Sequence, residues 1–241
     1  MKLFDDNMQA GQAGSFGFSG VRPDKLGAAE YTLVTYVGDK TGSVSRFANE
    51  LLETKRAIVA ACQKSARSEF LLFRNTEFNT QIVEVHGFAE LSTIDTSLYQ
   101  PPHCTGLTAL YDATFAAVAV TNEYAKTLSD QDFSVNGIIF VVTDGDDTSS
   151  IQTFQSVANE ISRGIQQEWL ESLNVILVGI NAQEFKLKLE EFVARAGLTQ
   201  YVDVGDATPQ RLAKLAAFVS SSISSQSQAL GTGGASQPLT F

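Results

Sequence analysis

The sequence predicts an α/β domain built on a doubly wound, mostly parallel six-stranded sheet with helices on both faces. Short apolar runs alternate along the chain with longer segments of helical period, which is the order typical of such folds. Most of the runs are apolar throughout, as expected of strands that are covered on both faces. The apolar content of 44% is ample for one buried core, so we expect a single domain.

Each element follows from its own pattern. The candidate strands are residues 31–38, 69–74, 79–86, 137–143, 173–180 and 200–204. No helical segment separates the second run from the third, so these two are predicted to form a hairpin with one antiparallel edge strand. Apolar residues at helical spacing begin near Phe47, Ile151 and Leu212. The segment 109–120 is apolar almost all the way round, which predicts a buried core helix.

Composition divides the chain into three parts. Residues 1–28 are rich in small and polar residues, with glycines at every third position from Gly11 to Gly20, and are predicted to form a flexible N-terminal arm. Residues 29–225 would form the folded domain. Residues 226–241 are rich in Ser, Gly and Gln, which bury too little surface to offset chain entropy, so a disordered tail is expected.

Charge and cysteine content exclude several classes of function. The net charge of −10 comes without a basic stretch, which argues against nucleic acid and against anionic membranes as partners. The two cysteines, Cys62 and Cys104, form neither a disulfide framework nor a CxxC metal motif. The start of the chain lacks the features of a signal peptide and no apolar run reaches bilayer length. A cytoplasmic location is therefore expected.

Hydroxyl and carboxylate side chains follow two of the predicted strands and precede the predicted core helix. Asp39, Thr41 and Ser43 come directly after the first strand, Thr108 stands before the core helix, and Asp144 ends the fourth strand. Because ligands bind beyond the carboxyl ends of parallel strands, these side chains are expected to meet at one edge of the sheet. Hard oxygen donors suit Mg²⁺ or Mn²⁺ and disfavour zinc.

This constellation resembles the metal-ion-dependent adhesion site (MIDAS) of von Willebrand factor type A (vWA) domains. The resemblance implies that Thr41, Ser43 and Thr108 coordinate a divalent cation, while Asp39 and Asp144 hold coordinated water and orient the hydroxyls. It also implies that a Glu or Asp of a protein partner fills the remaining position on the metal. The chain would then be a protein-binding module and no enzyme. Thr41, where Ser is commoner, and Lys40 beside the site depart from the family pattern.

Within that family, the expected cytosolic location, the arm before the first strand and the Ser-rich stretch 220–225 resemble features of tellurium-resistance-type and phage-associated members. The likeness implies an intracellular stress, defence or phage-related assembly. An AAA+ ATPase, a kinase or a phosphatase of the same cluster would be the partner.

Three other interpretations stay open. The run ending at Thr143-Asp144-Gly145-Asp146 also fits haloacid dehalogenase-type phosphatases, with Asp144 as nucleophile and Asp146 as general acid. A degenerate metal site is the second, in which Asp39 and Asp144 only hydrogen-bond loop backbones. In the third, which concerns residues 146–149 alone, these residues cap the helix that follows them.

Overall fold

The computed structural model describes residues 6–232 and 239–241 and centres on one mixed sheet of eight strands in the order β1-β2-β5-β4-β3-β6-β7-β8. The strands are Met8–Ala13 (β1), Phe16–Val21 (β2), Glu30–Asp39 (β3), Leu71–Phe78 (β4), Ile82–Glu90 (β5), Ser134–Thr143 (β6), Ser172–Ile180 (β7) and Gln200–Gly205 (β8). The helices are Ala48–Gln63 (α1), Leu110–Ser129 (α2), Phe154–Gln166 (α3), Lys186–Ala196 (α4) and Pro209–Thr232 (α5).

The helices cover the sheet from both sides. On one face α1 and α5 pack against each other, and their apolar residues join the inward side chains of the central strands in one core. On the other face α2, α3 and α4 form a second core. The wholly apolar segment predicted as a core helix lies inside α2, where both the sheet and α3 cover it. Helix α4 had no counterpart among the predicted elements.

The central strands agree with the sequence. All six predicted runs form strands, and β4, β3, β6, β7 and β8 run parallel to one another. Strands β3 and β6 are neighbours in the middle of the sheet, with Gly38 opposite Val142. Their last residues, Asp39 and Thr143, therefore emerge side by side at the carboxyl edge.

The predicted strand count and edge are wrong, because residues within the supposed flexible arm add two strands. β1 and β2 form a hairpin whose turn contains Gly14 at a φ of 59°, a conformation that Gly adopts without strain. β5 pairs antiparallel with β4 as predicted, but β2 pairs with its other side, so β5 is not an edge. Phe18 and Val21 are buried under α2, which supplies the apolar contact that the composition of the segment concealed.

The hairpin meets the sheet through a close backbone approach. A Cβ added to Gly87 on β5 would lie 1.9 Å from the carbonyl oxygen of Ser19 on β2, so only Gly fits there. The backbone N–H and hydroxyl of Ser19 both donate to Glu84 Oε1, at 2.9 and 2.7 Å. The other oxygen of Glu84 accepts from the buried Arg74 of β4 at 2.8 Å. A buried ion pair thus fastens the hairpin to the sheet.

The predicted tail begins too early, because α5 continues through residues 226–232. Gln226 is fully buried although it is polar, since its side chain donates to Gly137 O at 3.2 Å and to Ser172 Oγ at 2.8 Å. Asn174 donates to its side-chain oxygen at 2.7 Å. These contacts with β6 and β7 satisfy polar groups that would otherwise oppose burial. Residues 233–238 of the predicted tail lie outside the described residues.

Candidate metal site at the carboxyl edge of the sheet

Asp39 is the last residue of β3, and its carboxylate is buried, with 2% of the residue exposed. Oδ1 accepts a hydrogen bond from the backbone N–H of Thr41 at 2.7 Å. Oδ2 accepts one from the hydroxyl of Thr143, at the end of β6, also at 2.7 Å. The carboxylate is therefore held rigidly between the two central strands.

The hydroxyls of the first cluster connect it with Asp144. The Thr41 and Ser43 hydroxyls lie 3.0 Å apart in a hydrogen bond, as the spacing of two residues predicts. Ser43 Oγ then donates to Asp144 Oδ1 at 2.8 Å. The structure thus brings Asp39, Thr41, Ser43 and Asp144 together, four of the five residues that the sequence predicts for the site.

Thr108 is held beside this group by its backbone. Its N–H donates to Thr148 Oγ1 at 2.9 Å, and its carbonyl accepts from the N–H of Thr148 at 2.8 Å. Three residues earlier, the N–H of Thr105 donates to the carbonyl of Lys40 at 2.9 Å, so the loop lies against the first cluster. Within residues 6–232 and 239–241, no hydrogen bond joins the Thr108 hydroxyl to the other four side chains.

The two carboxylates share an unfavourable electrostatic setting. Burial raises the pKa of Asp39 to about 6, against hydrogen bonds from Thr41 and Thr143 that lower it, and the nearby Asp144 raises it further. Burial also raises the pKa of Asp144, partly offset by the Ser43 hydrogen bond and by Arg46. Two neighbouring buried carboxylates disfavour ionisation because neither is fully compensated. A divalent cation would supply that compensation.

The donor chemistry fits a hard divalent cation. Five oxygen-bearing side chains are at hand, and carboxylate and hydroxyl oxygens are the ligands that Mg²⁺ and Mn²⁺ take up in proteins. Across the described ranges no group of three or more His, Cys, Asp or Glu side chains could hold a metal. A site with two carboxylates and three hydroxyls does not belong to that type.

Thr143 is a contributor that the predicted residue set leaves out. Its hydroxyl donates to Asp39 Oδ2 and also makes contacts of 3.2 Å with the N–H and the carbonyl of Gly145. A hydroxyl residue at the last position of a strand, next to a predicted ligand, is the signal that could have found it. Its place in the sheet points it at Asp39 because β3 and β6 are neighbours.

The residues after Asp144 have partners of their own. Asp146 Oδ2 accepts from Lys188 of α4 at 2.6 Å, which occupies the carboxylate required as a general acid by the phosphatase interpretation.

The expected caps act on a different helix from the one predicted. Asp147 and Ser150 accept from the N–H groups of Tyr111 and Asp112 at the start of α2, at 3.3 and 3.0 Å. Helix α3 is capped instead by Thr153.

Comparison with known proteins places the fold. No family model matches the chain, and no curated protein matches it. Among solved structures, the PilB minor pilin from Streptococcus sanguinis is similar, with a TM-score of 0.58 and 14% identity over 90% of this chain and 66% of that one. The proximal thread matrix protein 1 from the mussel byssus, with a zinc-occupied MIDAS motif, has a TM-score of 0.51 and 16% identity over 81% of this chain and 46% of that one.

The chain shares the fold of these proteins. The pilus adhesin SpaC from Lactobacillus rhamnosus GG is a further example, with a TM-score of 0.55 and 10% identity over 91% of this chain and 34% of that one. The chain spans about two thirds of the pilin, less than half of the byssus protein and a third of the adhesin. Together with the sheet, they are consistent with the vWA fold that the sequence resemblance implies. They lend no support to the narrower likeness to tellurium-resistance-type or phage-associated members.

No helix within the described residues is long and apolar enough to cross a membrane. The cytoplasmic location stays a prediction.

Proposed function

We propose that the chain is a divalent-cation-dependent adhesion module that binds a carboxylate of a protein partner. The observation that carries the proposal is the hydrogen-bonded series from Asp39 through Thr41 and Ser43 to Asp144, joined across the two central strands. The zinc-occupied MIDAS of a protein with the same fold supports a divalent cation at such an edge. Mg²⁺ or Mn²⁺ is the cation proposed, because every available donor is a hard oxygen.

The residues would divide the work between them. Thr41, Ser43 and Thr108 would give neutral oxygens to the cation, and Asp39 and Asp144 would orient the hydroxyls and any coordinated water. A cation bound there would supply an electrophilic centre for the partner's Glu or Asp. A buried hydrogen bond at Asp39 and a partly buried one at Ser43 fix these oxygens before any ligand arrives, so little conformational entropy is lost on binding.

A calorimetric titration of metal-stripped protein with Mg²⁺, Mn²⁺ and Zn²⁺ tests the proposal. Thr108→Ala should weaken cation binding by about tenfold or more, because one ligand is lost. Thr105→Ala is the matched control in the same loop, since only the backbone of Thr105 makes hydrogen bonds here. Asp146→Ala should leave cation affinity unchanged, because its carboxylate pairs with Lys188.

Contrary outcomes are specific. Wild-type protein that binds none of the three cations would refute the proposal and leave the degenerate-site interpretation. If Asp146→Ala loses cation binding and Thr108→Ala does not, the cation binds at residues 144–146 instead. Mg²⁺-dependent turnover of a generic aryl phosphate would then identify a phosphatase. An AAA+ ATPase, kinase or phosphatase as the natural partner stays a prediction.

A further inference from the structure

Three of the large apolar side chains exposed in this structure, two on loops and one in the first turn of α4, lie on segments around the candidate metal site. They are Ile151, which is 90% exposed, Leu187, which is 81% exposed, and Leu107, which is 58% exposed. Single exposed apolar residues are normal on protein surfaces. A group of three on adjoining segments at one edge of a sheet is the pattern of an interaction surface. We call these three residues the apolar rim.

The segments that carry the apolar rim are connected by hydrogen bonds and an ion pair. The segment after Asp144 contacts the Leu107 loop through the two hydrogen bonds from the N–H groups of Thr148 and Ser149 to the carbonyl of Thr108. It reaches the Leu187 segment through the ion pair of Asp146 with Lys188. The rim therefore surrounds one continuous surface that begins at Asp144.

Ile151 is held in its exposed position by the fold. Its N–H donates to both carboxylate oxygens of Asp112, at 3.0 and 3.2 Å, and the N–H of Gln152 donates to the same carboxylate at 2.7 Å. Asp112 belongs to the first turn of α2 and so is fixed to the core. A fixed backbone presents the apolar side chain at a defined place, so less backbone entropy is lost when a partner covers it.

The charges at this edge favour an acidic partner although the chain as a whole carries −10. Arg46 lies close enough to influence Asp144 electrostatically, and Lys40 follows directly after Asp39. Two acidic residues of the neighbouring segments are already engaged, since Asp146 pairs with Lys188 and Asp112 caps loop N–H groups. A cation bound between Asp39 and Asp144 would therefore supply the attraction for an incoming carboxylate, with Arg46 nearby and apolar side chains around it.

We propose that the partner is a protein segment in which one Glu or Asp is flanked by large apolar residues, and that these residues pack on Leu107, Ile151 and Leu187. This inference rests on the proposed function, because the carboxylate is taken to reach the cation. Specificity comes from the rim. The cation selects any accessible carboxylate, whereas the rim selects those with apolar neighbours.

Short synthetic peptides on a surface provide the test, with the full chain as the soluble binder in Mn²⁺ or in EDTA. Three peptides differ only around one central position: Glu with Leu neighbours, Glu with Ser neighbours, and Gln with Leu neighbours. Binding is expected for the first peptide in Mn²⁺, with about tenfold weaker binding of the second and none of the third, because apolar burial and the carboxylate act together.

Two combined variants, one triple and one double, separate the rim from general surface hydrophobicity. Leu107→Ser, Ile151→Ser and Leu187→Ser together should reduce binding of the Leu-flanked peptide by about tenfold or more. Leu98→Ser and Ile165→Ser together remove two exposed apolar side chains elsewhere and should leave it unchanged. Both variants should bind Mn²⁺ in calorimetry as the wild type does, which shows that the site is intact.

The outcomes distinguish the two proposals. Equal binding of the Leu-flanked and Ser-flanked Glu peptides, or equal loss in both combined variants, overturns the apolar rim and leaves the cation-dependent carboxylate site standing. Absence of Mn²⁺ binding in the wild type overturns the proposed function itself. Mn²⁺ binding without capture of any peptide counts against the rim, because a flanked carboxylate is then not sufficient for recognition.

Discussion

The Ser43 hydroxyl donates a hydrogen bond of 2.8 Å to Asp144 Oδ1, although the two residues are 101 positions apart in the chain. The contact exists because β3 and β6 are neighbours in the sheet and end at the same edge. Asp144 is buried whereas Ser43 is exposed, so the hydrogen bond compensates the buried carboxylate in particular. The site is therefore a property of the assembled sheet and not of either loop alone.

The first prediction concerns Asp144→Asn. Removing a buried carboxylate whose pKa is raised should change the free energy of unfolding of the metal-free protein by no more than about 1 kcal/mol. The variant should also lose the increase in melting temperature that Mn²⁺ gives the wild type. Thermal unfolding in EDTA and in Mn²⁺ measures both. Asp24→Asn, at an exposed position, should behave as the wild type. An unfolded Asp144→Asn variant would show that the carboxylate is needed for the fold.

The second prediction concerns the junction of the N-terminal hairpin. Gly87→Ala should lower the free energy of unfolding by about 3 kcal/mol, because the new Cβ would lie 1.9 Å from a backbone oxygen of Ser19. Gly27→Ala is the matched control, since nothing lies within 4 Å of its Cβ. Chemical denaturation measures the difference, and hydrogen exchange should show lost protection in β1 and β2. Equal stability of the two variants would mean that the hairpin moves away from β5 without loss.

The third prediction concerns the buried pair of Arg74 and Glu84. Glu84→Leu should destabilise the protein by about 3–5 kcal/mol, because it leaves the Arg74 guanidinium buried without its partner. Arg74→Met combined with Glu84→Leu should be less harmful than Glu84→Leu alone. Denaturation of the two single variants and the double variant gives the coupling free energy. A double variant that loses the sum of both single effects would show that the pair is not coupled.

The fourth prediction concerns His86 and pH. Burial lowers the pKa of His86 below its ordinary value, and its ring stacks on Tyr99 with Nε2 2.7 Å from the tyrosine hydroxyl. Glu84 favours the charged ring, whereas Lys55 and Arg74 oppose it. Below about pH 6.5 the unfolded chain takes up a proton at this histidine that the folded protein does not, so the free energy of unfolding falls as pH falls.

Denaturation curves between about pH 7.5 and about pH 5 test this expectation. His86→Gln should be less stable than the wild type at the higher pH and should lose less stability on acidification. His103→Gln, at the exposed second histidine, is the control. A wild-type slope that survives in His86→Gln would assign the pH dependence to other groups.

The central sheet could be predicted because its strands carry their own signal. Runs such as 137–143 are apolar throughout, and such runs have few alternatives to a buried parallel strand. Asp39 and Asp144 could be placed because each follows such a strand, so their meeting required only that the strands be neighbours. Thr143 was missed since its role depends on the exact register of β6 beside β3.

The ends of the chain could not be predicted for a different reason. Residues 8–21 have too few apolar side chains to indicate strands. Their burial depends on α2 and on the missing side chain of Gly20, which lets the Tyr124 ring pack closely against the backbone. The composition around Gln226 predicts a disordered tail, yet its side-chain amide forms hydrogen bonds with β6 and β7. In both cases the stabilising contacts lie on segments distant in sequence, which composition does not report.

The pairing of β3 with β6 has a consequence for how the protein folds. About a hundred residues must be organised before these two strands meet, and contacts over such separations form slowly. The complete set of oxygens therefore exists only after the middle of the sheet has closed. A cation that binds there would leave the rate of folding nearly unchanged and would slow unfolding. It would therefore stabilise the completed sheet and take no part in the folding nucleus.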